Sequence, residues 1–155
     1  MHALVINSPL FRYSHGLDVD DSLPPIGLGY IVSNLLERNI DTELLDCVNE
    51  KLSVADTIKY IESMAPKYVA INIFTTNYDL VKEIVLSLNN RIHVIIGGIA
   101  TKDLYKKIFH WETSNQIDIV TGDGEYITAD IVCSSVKVAE DLSFENKRLF
   151  KVGPE

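Results

Sequence analysis

The chain reads as an α/β protein built on a doubly wound, five-stranded parallel sheet of flavodoxin-like (Rossmann-like) type. Short β-branched runs alternate five times with longer stretches of helical periodicity, the pattern of repeated βα units. Three of the runs, Leu4-Val5-Ile6, Val69-Ala70-Ile71 and Val94-Ile95-Ile96, are apolar on consecutive residues, as expected of strands covered by helices on both faces. The runs end in small or polar residues suited to βα turns.

The first run, residues 3–6, leads through a long loop to Leu28, Ile31, Val32, Leu35 and Leu36, whose three- and four-residue spacing marks a helix with one buried face. The second, 42–45, precedes a weaker stripe of Val54, Ile58 and Ile61, with Ser53 placed to cap its start. The third, 68–73, is followed by Leu80, Val81, Ile84, Val85 and Leu88. The fourth, 92–96, leads to a helix around 104–109, and the fifth, 118–120, to one over 127–136. Right-handed crossovers give the order 2-1-3-4-5, with the first and third strands adjacent at the centre. Residues 1–136 are expected to form this domain. Beyond them Glu140-Asp141 break the helical pattern, and 142–152 read as one or two short extended pieces, so 137–155 is expected to be an exit segment towards a further part of a longer protein.

A chain of 155 residues is large enough to bury about 70% of its unfolded surface in one domain, without help from disulfides or metals. Its net charge of -8, with no basic run, weighs against nucleic acid and anionic lipid as partners. No stretch of about 18 apolar residues and no signal-like start occur, so a soluble, cytoplasmic chain is expected. Cys47 and Cys133 lie far apart without CxxC spacing; buried, reduced thiols are expected rather than a metal or cluster site.

Ligands of doubly wound sheets bind outside the carboxyl ends of the strands. The loops there are Asn7-Ser8-Pro9 with its long acidic continuation through Asp18, Asp20 and Asp21, then Asn72 to Asn77, Gly97-Gly98-Ile99-Ala100-Thr101, and Thr121-Gly122-Asp123-Gly124-Glu125. Glycine lets a ligand approach the backbone closely, hydroxyls and amides supply hydrogen bonds, and the following helices point their N-termini at the same crevice. A dinucleotide site would place GxGxxG where Asn7-Ser8-Pro9 stands, no GxxxxGK[ST] exists for a P-loop, and a receiver domain would need aspartate at Asn72. The loop aspartates lack calcium-loop spacing and read as a solvated charged loop. Neither a catalytic residue nor a metal ligand is assigned.

The strings Pro24-Pro25-Ile26-Gly27-Leu28-Gly29-Tyr30-Ile31, Val69 through Tyr78, Ile95-Ile96-Gly97-Gly98 and Asp118 through Glu125 follow one another in an order and spacing that resembles the cobalamin-binding domain at the N-terminus of cobalamin-dependent radical S-adenosylmethionine enzymes. The resemblance implies a corrinoid cofactor, cobalamin. Gly97-Gly98 match the glycine pair that makes room for its nucleotide tail, with Ala100 beside them and Thr101 placed to hydrogen-bond nearby. Asn72-Ile73-Phe74 stands where the wider family has Ser-x-Leu, so Asn72 is expected to supply a hydrogen bond and Phe74 an apolar wall, followed by Thr75 and Thr76. Gly122-Asp123-Gly124-Glu125 resembles a Gly-Glu-Gly-Glu turn, and Glu125 also suits the first turn of a helix. Ser8 joins the set from the first loop. A side chain at Gly97 or Gly98 is expected to occupy that slot, so Gly98→Val is expected to abolish binding while leaving the fold largely intact.

The DxHxxG loop that supplies a histidine to cobalt in the wider family is absent: His15-Gly16 lies in the right loop without the aspartate or the spacing. Cobalamin is therefore expected base-off, with no protein histidine on cobalt, and His2, His93 and His110 are expected to be structural. The CxxxCxxC motif is absent too. The resemblance then implies that the iron–sulfur cluster and S-adenosylmethionine belong to a C-terminal catalytic core of the same protein, for which this chain positions the corrinoid in methyl transfer or related radical chemistry. The rival reading is a degenerate module of the same fold that binds no cobalamin and serves substrate positioning or domain interaction.

Overall fold

The computed structural model describes residues 1–10, 25–136 and 140–153; His15, the loop aspartates and Pro24 lie outside the described residues. The five expected strands are β1 (Ala3–Asn7), β2 (Thr42–Asp46), β3 (Tyr68–Asn72), β4 (His93–Gly97) and β5 (Ile117–Gly122). All pair in parallel, in the order β2-β1-β3-β4-β5. The helices are α1 (Ile26–Glu37), α2 (Val54–Met64), α3 (Tyr78–Leu86), α4 (Thr101–Phe109) and α5 (Glu125–Val132). Ser53 caps α2 as its sequence position implies: its hydroxyl accepts from the Asp56 N–H at 3.1 Å, and the Asp56 carboxylate accepts in return from the Ser53 N–H at 3.3 Å.

Among the described residues two further strands extend this five-stranded parallel core. The extended pieces of the exit segment form β6 (Leu142–Phe144) and β7 (Lys147–Val152). β7 pairs in parallel with β5 from Ile117↔Lys147 to Gly122↔Val152, and β6 closes antiparallel on β7. Leu149 and Phe150, consecutive and fully buried, point to opposite faces of the sheet, as the pleat requires.

The two faces differ in bulk. Towards α2, α3 and α4 the strands send Leu4, Ile6, Val69, Ile71, Val94, Ile96, Ile117 and Ile119. Towards α1 and α5 they send the smaller set Ala3, Val5, Ala70, Ile95 and Val120. No helix among the described residues is long and apolar enough to cross a membrane.

At the amino ends of the strands on the α1/α5 face, Asp118 is fully buried and doubly paired. The Arg148 Nε and Nη2 donate to its two oxygens at 2.7 and 2.8 Å, and the His93 Nε2 lies 2.7 Å from one of them. Burial alone pushes the Asp118 carboxyl up, but the hydrogen bonds and charges of His93 and Arg148 outweigh it and hold the group below the usual aspartate value. A depressed folded pKa adds stability that is fully present above the unfolded value of ~3.9 and is lost as pH falls through the folded one. Arg148→Met should therefore cost about 3 kcal/mol near neutral pH, because it leaves a buried carboxylate short of its cation. In urea melts the gap between wild type and variant should shrink below about pH 4. A gap of constant size would assign the loss to the guanidinium's packing over Phe150, 5.1 Å from the ring centroid.

Candidate functional site

A cleft of about 390 Å³ opens at the carboxyl ends of the strands, between the sheet and the α1/α5 layer. Its floor is Ala70 of β3, Ile95 of β4 and Val120 of β5; Leu28 and Ile31 of α1 form one wall, Gly124 and Thr128 the other. Asp123 and Glu125, the latter in the first turn of α5, add carboxylates. The cleft exists because the thin face leaves it: Ala70 and Gly97 stand where larger side chains would meet α1. The volume and largely apolar lining suit a small-molecule site.

The loops after β1 and β3 are locked together by side-chain amides. The Asn72 Oδ1 accepts from both the N–H and the hydroxyl of Ser8, each at 2.7 Å, and its Nδ2 donates to the Asn7 Oδ1 at 2.8 Å. Asn7 in turn donates to Asp46 at 2.9 Å. Asn77, which is fully buried, donates to the Ser8 hydroxyl and the Pro9 carbonyl and accepts from the Phe74 N–H. Asn72 is thus fixed in orientation and retains one N–H, since an amide nitrogen carries two.

The residues singled out in the sequence divide. Asn72, Phe74, Gly97, Gly98, Gly122, Gly124 and Glu125 line the cleft. Ser8 is buried beneath it, holding Asn72. Thr75 and Thr76 form a single 3-10 turn outside the lining. Ala100 packs into the core on the opposite face. Thr101 is also buried, with its hydroxyl 2.6 Å from the Gly98 carbonyl and 3.2 Å from the Thr121 hydroxyl. The expectation that it would bond a nearby ligand meets a hydroxyl already engaged in ordering its own loop.

The glycines play separate parts. Gly98 has φ +115°, and a Cβ there would meet the Ile73 carbonyl at 3.0 Å, whereas a Cβ on Gly97 would have only the Val120 carbonyl, at 3.9 Å, for a neighbour. Of the two, Gly97 can take a side chain into the cleft without straining the backbone, whereas a side chain at Gly98 is strained, which corrects the expectation that Gly98→Val would leave the fold largely intact. Gly122, at φ +97°, lies so close to β7 that a Cβ would fall 1.9 Å from the Val152 carbonyl, so strand pairing alone demands glycine there.

Leu28, Ile31, Ala70, Ile95, Val120, Asp123 and Thr128 also line the cleft without having been singled out as site residues. The available signals were the small Ala70 inside a Val-Ile strand and the polar Thr128 inside an apolar helix face. His93 and Asp118 pair at the amino ends of the strands, and His2 stacks on Tyr68 with centroids 5.4 Å apart. None of the described histidines lines the cleft. Cys47 is buried with its Sγ 3.4 Å from the Thr57 hydroxyl, and burial pushes its thiol up to about 11.

A family model described as B12 binding domain matches residues 16–132, well over half of the chain. Two solved structures of the cobalamin-dependent S-adenosylmethionine radical enzyme OxsB share the fold: one, with aqua-cobalamin and S-adenosylmethionine bound, has a TM-score of 0.68, and the other, with aqua-cobalamin bound, 0.67. Each is 16% identical over 90% of this chain, which spans 20% of the OxsB chain. No curated protein sequence matches significantly.

Proposed function

The chain belongs to the B12-binding domain family, and from that premise we propose that it holds cobalamin, with the corrinoid's nucleotide tail seated in the cleft between α1, α5 and the sheet. The observation that carries this reading is the open space in front of Gly97, over an apolar floor of Ala70, Ile95 and Val120. A flat apolar ring fits such a slot. The remaining N–H of Asn72 and the carboxylates of Asp123 and Glu125 suit the amide-rich edge of a corrin, since amides both accept and donate. Exposed Ile26, Phe74, Ile99 and Tyr126, in or next to the lining in sequence, offer apolar surface for a large ring or a covering domain.

The cofactor is held base-off, with no protein histidine on cobalt, a reading supported by the missing DxHxxG motif. Bound cobalamin would supply methyl transfer or assistance to radical chemistry. The chain's own residues bind and orient it, and the iron–sulfur cluster and S-adenosylmethionine belong to a catalytic core elsewhere in a longer, cytoplasmic protein. The chain's 20% share of the OxsB length is consistent with such a core.

Titrating the chain with hydroxocobalamin and recording visible spectra tests the reading. Saturable one-to-one binding with a base-off spectrum is expected. A base-on spectrum on binding would remove the tail from the cleft, and no binding at all would favour the degenerate module.

A further inference from the structure

Among the described residues one side-chain hydroxyl lines the cleft, that of Thr128. Thr128, on α5, is only 2% exposed, yet its Oγ1 has no hydrogen-bond partner among the described residues, unlike the amides of Asn7 and Asn72. Thr57 in α2 shows the ordinary alternative for a helical threonine, its hydroxyl donating to the carbonyl four residues back at 2.8 Å. Thr128 makes no such bond. No fully enclosed side-chain nitrogen or oxygen among the described residues lacks a partner, so the Thr128 oxygen must open onto the cleft that it lines. Held on a residue that is otherwise buried and not spent on the helix, the hydroxyl is free to bond whatever occupies the cleft, which a valine of the same shape could not do.

We propose that Thr128 is the specificity-determining residue of the cleft. Its hydroxyl donates to an acceptor nitrogen on the ring that ends the corrinoid's tail, so the site prefers cobamides whose tail ring carries such a nitrogen. This rests on the cobalamin reading above and adds which end of the cofactor is recognised and by what. The cleft's apolar lining of Leu28, Ile31, Ile95 and Val120 accepts any flat ring, and Asn72, Asp123 and Glu125 are the groups proposed above for the corrin edge, which leaves the Thr128 hydroxyl to discriminate among tail rings. A Cβ placed on Gly124 would lie 3.5 Å from both the Thr128 Oγ1 and the Val120 Cγ1, so the glycine leaves the hydroxyl uncovered.

The test compares hydroxocobalamin with p-cresolyl cobamide, whose tail ring has no nitrogen, on the wild-type chain and on Thr128→Val, Thr128→Ala and Thr128→Ser, each checked for folding by circular dichroism. Removing the hydroxyl by either valine or alanine should weaken hydroxocobalamin binding about tenfold, the worth of one hydrogen bond, and leave p-cresolyl cobamide unchanged. Thr128→Ser, which keeps the hydroxyl, should stay near wild type with both. Equal losses for the two cobamides, or no loss for either, would overturn the assignment while leaving the cofactor reading standing. A wild-type chain that binds neither cobamide would overturn the cofactor reading itself and this assignment with it.

Discussion

A chain ended at Val136 is expected not to fold cooperatively, although all five strands and helices of the doubly wound core precede that point. β7 contributes Leu149 to one core layer and Phe150 to the other, both fully buried. Losing each removes roughly 1.5–3 kcal/mol of burial. Arg148 leaves with them, stranding Asp118 beneath the sheet for about 3 kcal/mol more. The backbone ladder from Ile117 to Gly122 would become a bare edge. Against a typical domain stability of about 5–15 kcal/mol these losses are decisive. Far-UV circular dichroism and urea melts of the shortened and full chains check it. A cooperative transition in the shortened chain, near the full chain's midpoint, would show that the hairpin is an accessory.

The dependence on β7 leaves little trace in the local sequence pattern. The triplets at Leu4, Val69 and Val94 announce themselves because both of their faces are covered, so every residue is apolar. β7 reads Lys-Arg-Leu-Phe-Lys-Val, which looks like a solvated edge. Its Arg148 is settled at long range instead, on Asp118 thirty residues earlier. A partner that far away leaves no local periodicity.

The site shows the same division. Glycine-rich loops at the strand ends locate the cleft, because backbone freedom is written into single residues. Which side chains enter it depends on strand parity and on where α1 and α5 settle. Leu28 and Ile31 therefore read as an ordinary core stripe, and Ser8 and Thr101 as free polar groups when Ser8 is committed to Asn72 and Thr101 to its own loop. Gly122 reads as a ligand glycine until Val152 is known to lie against it.

Gly97→Val is expected to abolish cobalamin binding while leaving the domain as stable as before, or more so. On β4, Gly97 shares the pleat face of Ile95, two residues earlier, and therefore faces the cleft rather than the α2/α3/α4 core. Its backbone lies outside the positive-φ region, and a β-branched residue favours a strand, so about 0.5–1 kcal/mol of stability should be gained as glycine's unfolded-state freedom is removed. The added methyls would occupy the space proposed for the tail. Gly98→Val separates the two effects by position. At φ +115°, with the Ile73 carbonyl 3.0 Å from its Cβ, it should cost about 1–3 kcal/mol in strain, and any loss of binding would follow from a distorted loop. Paired hydroxocobalamin titrations and urea melts distinguish the cases. If Gly97→Val binds the cofactor with wild-type affinity, the tail does not pass in front of β4, and the cleft needs another occupant.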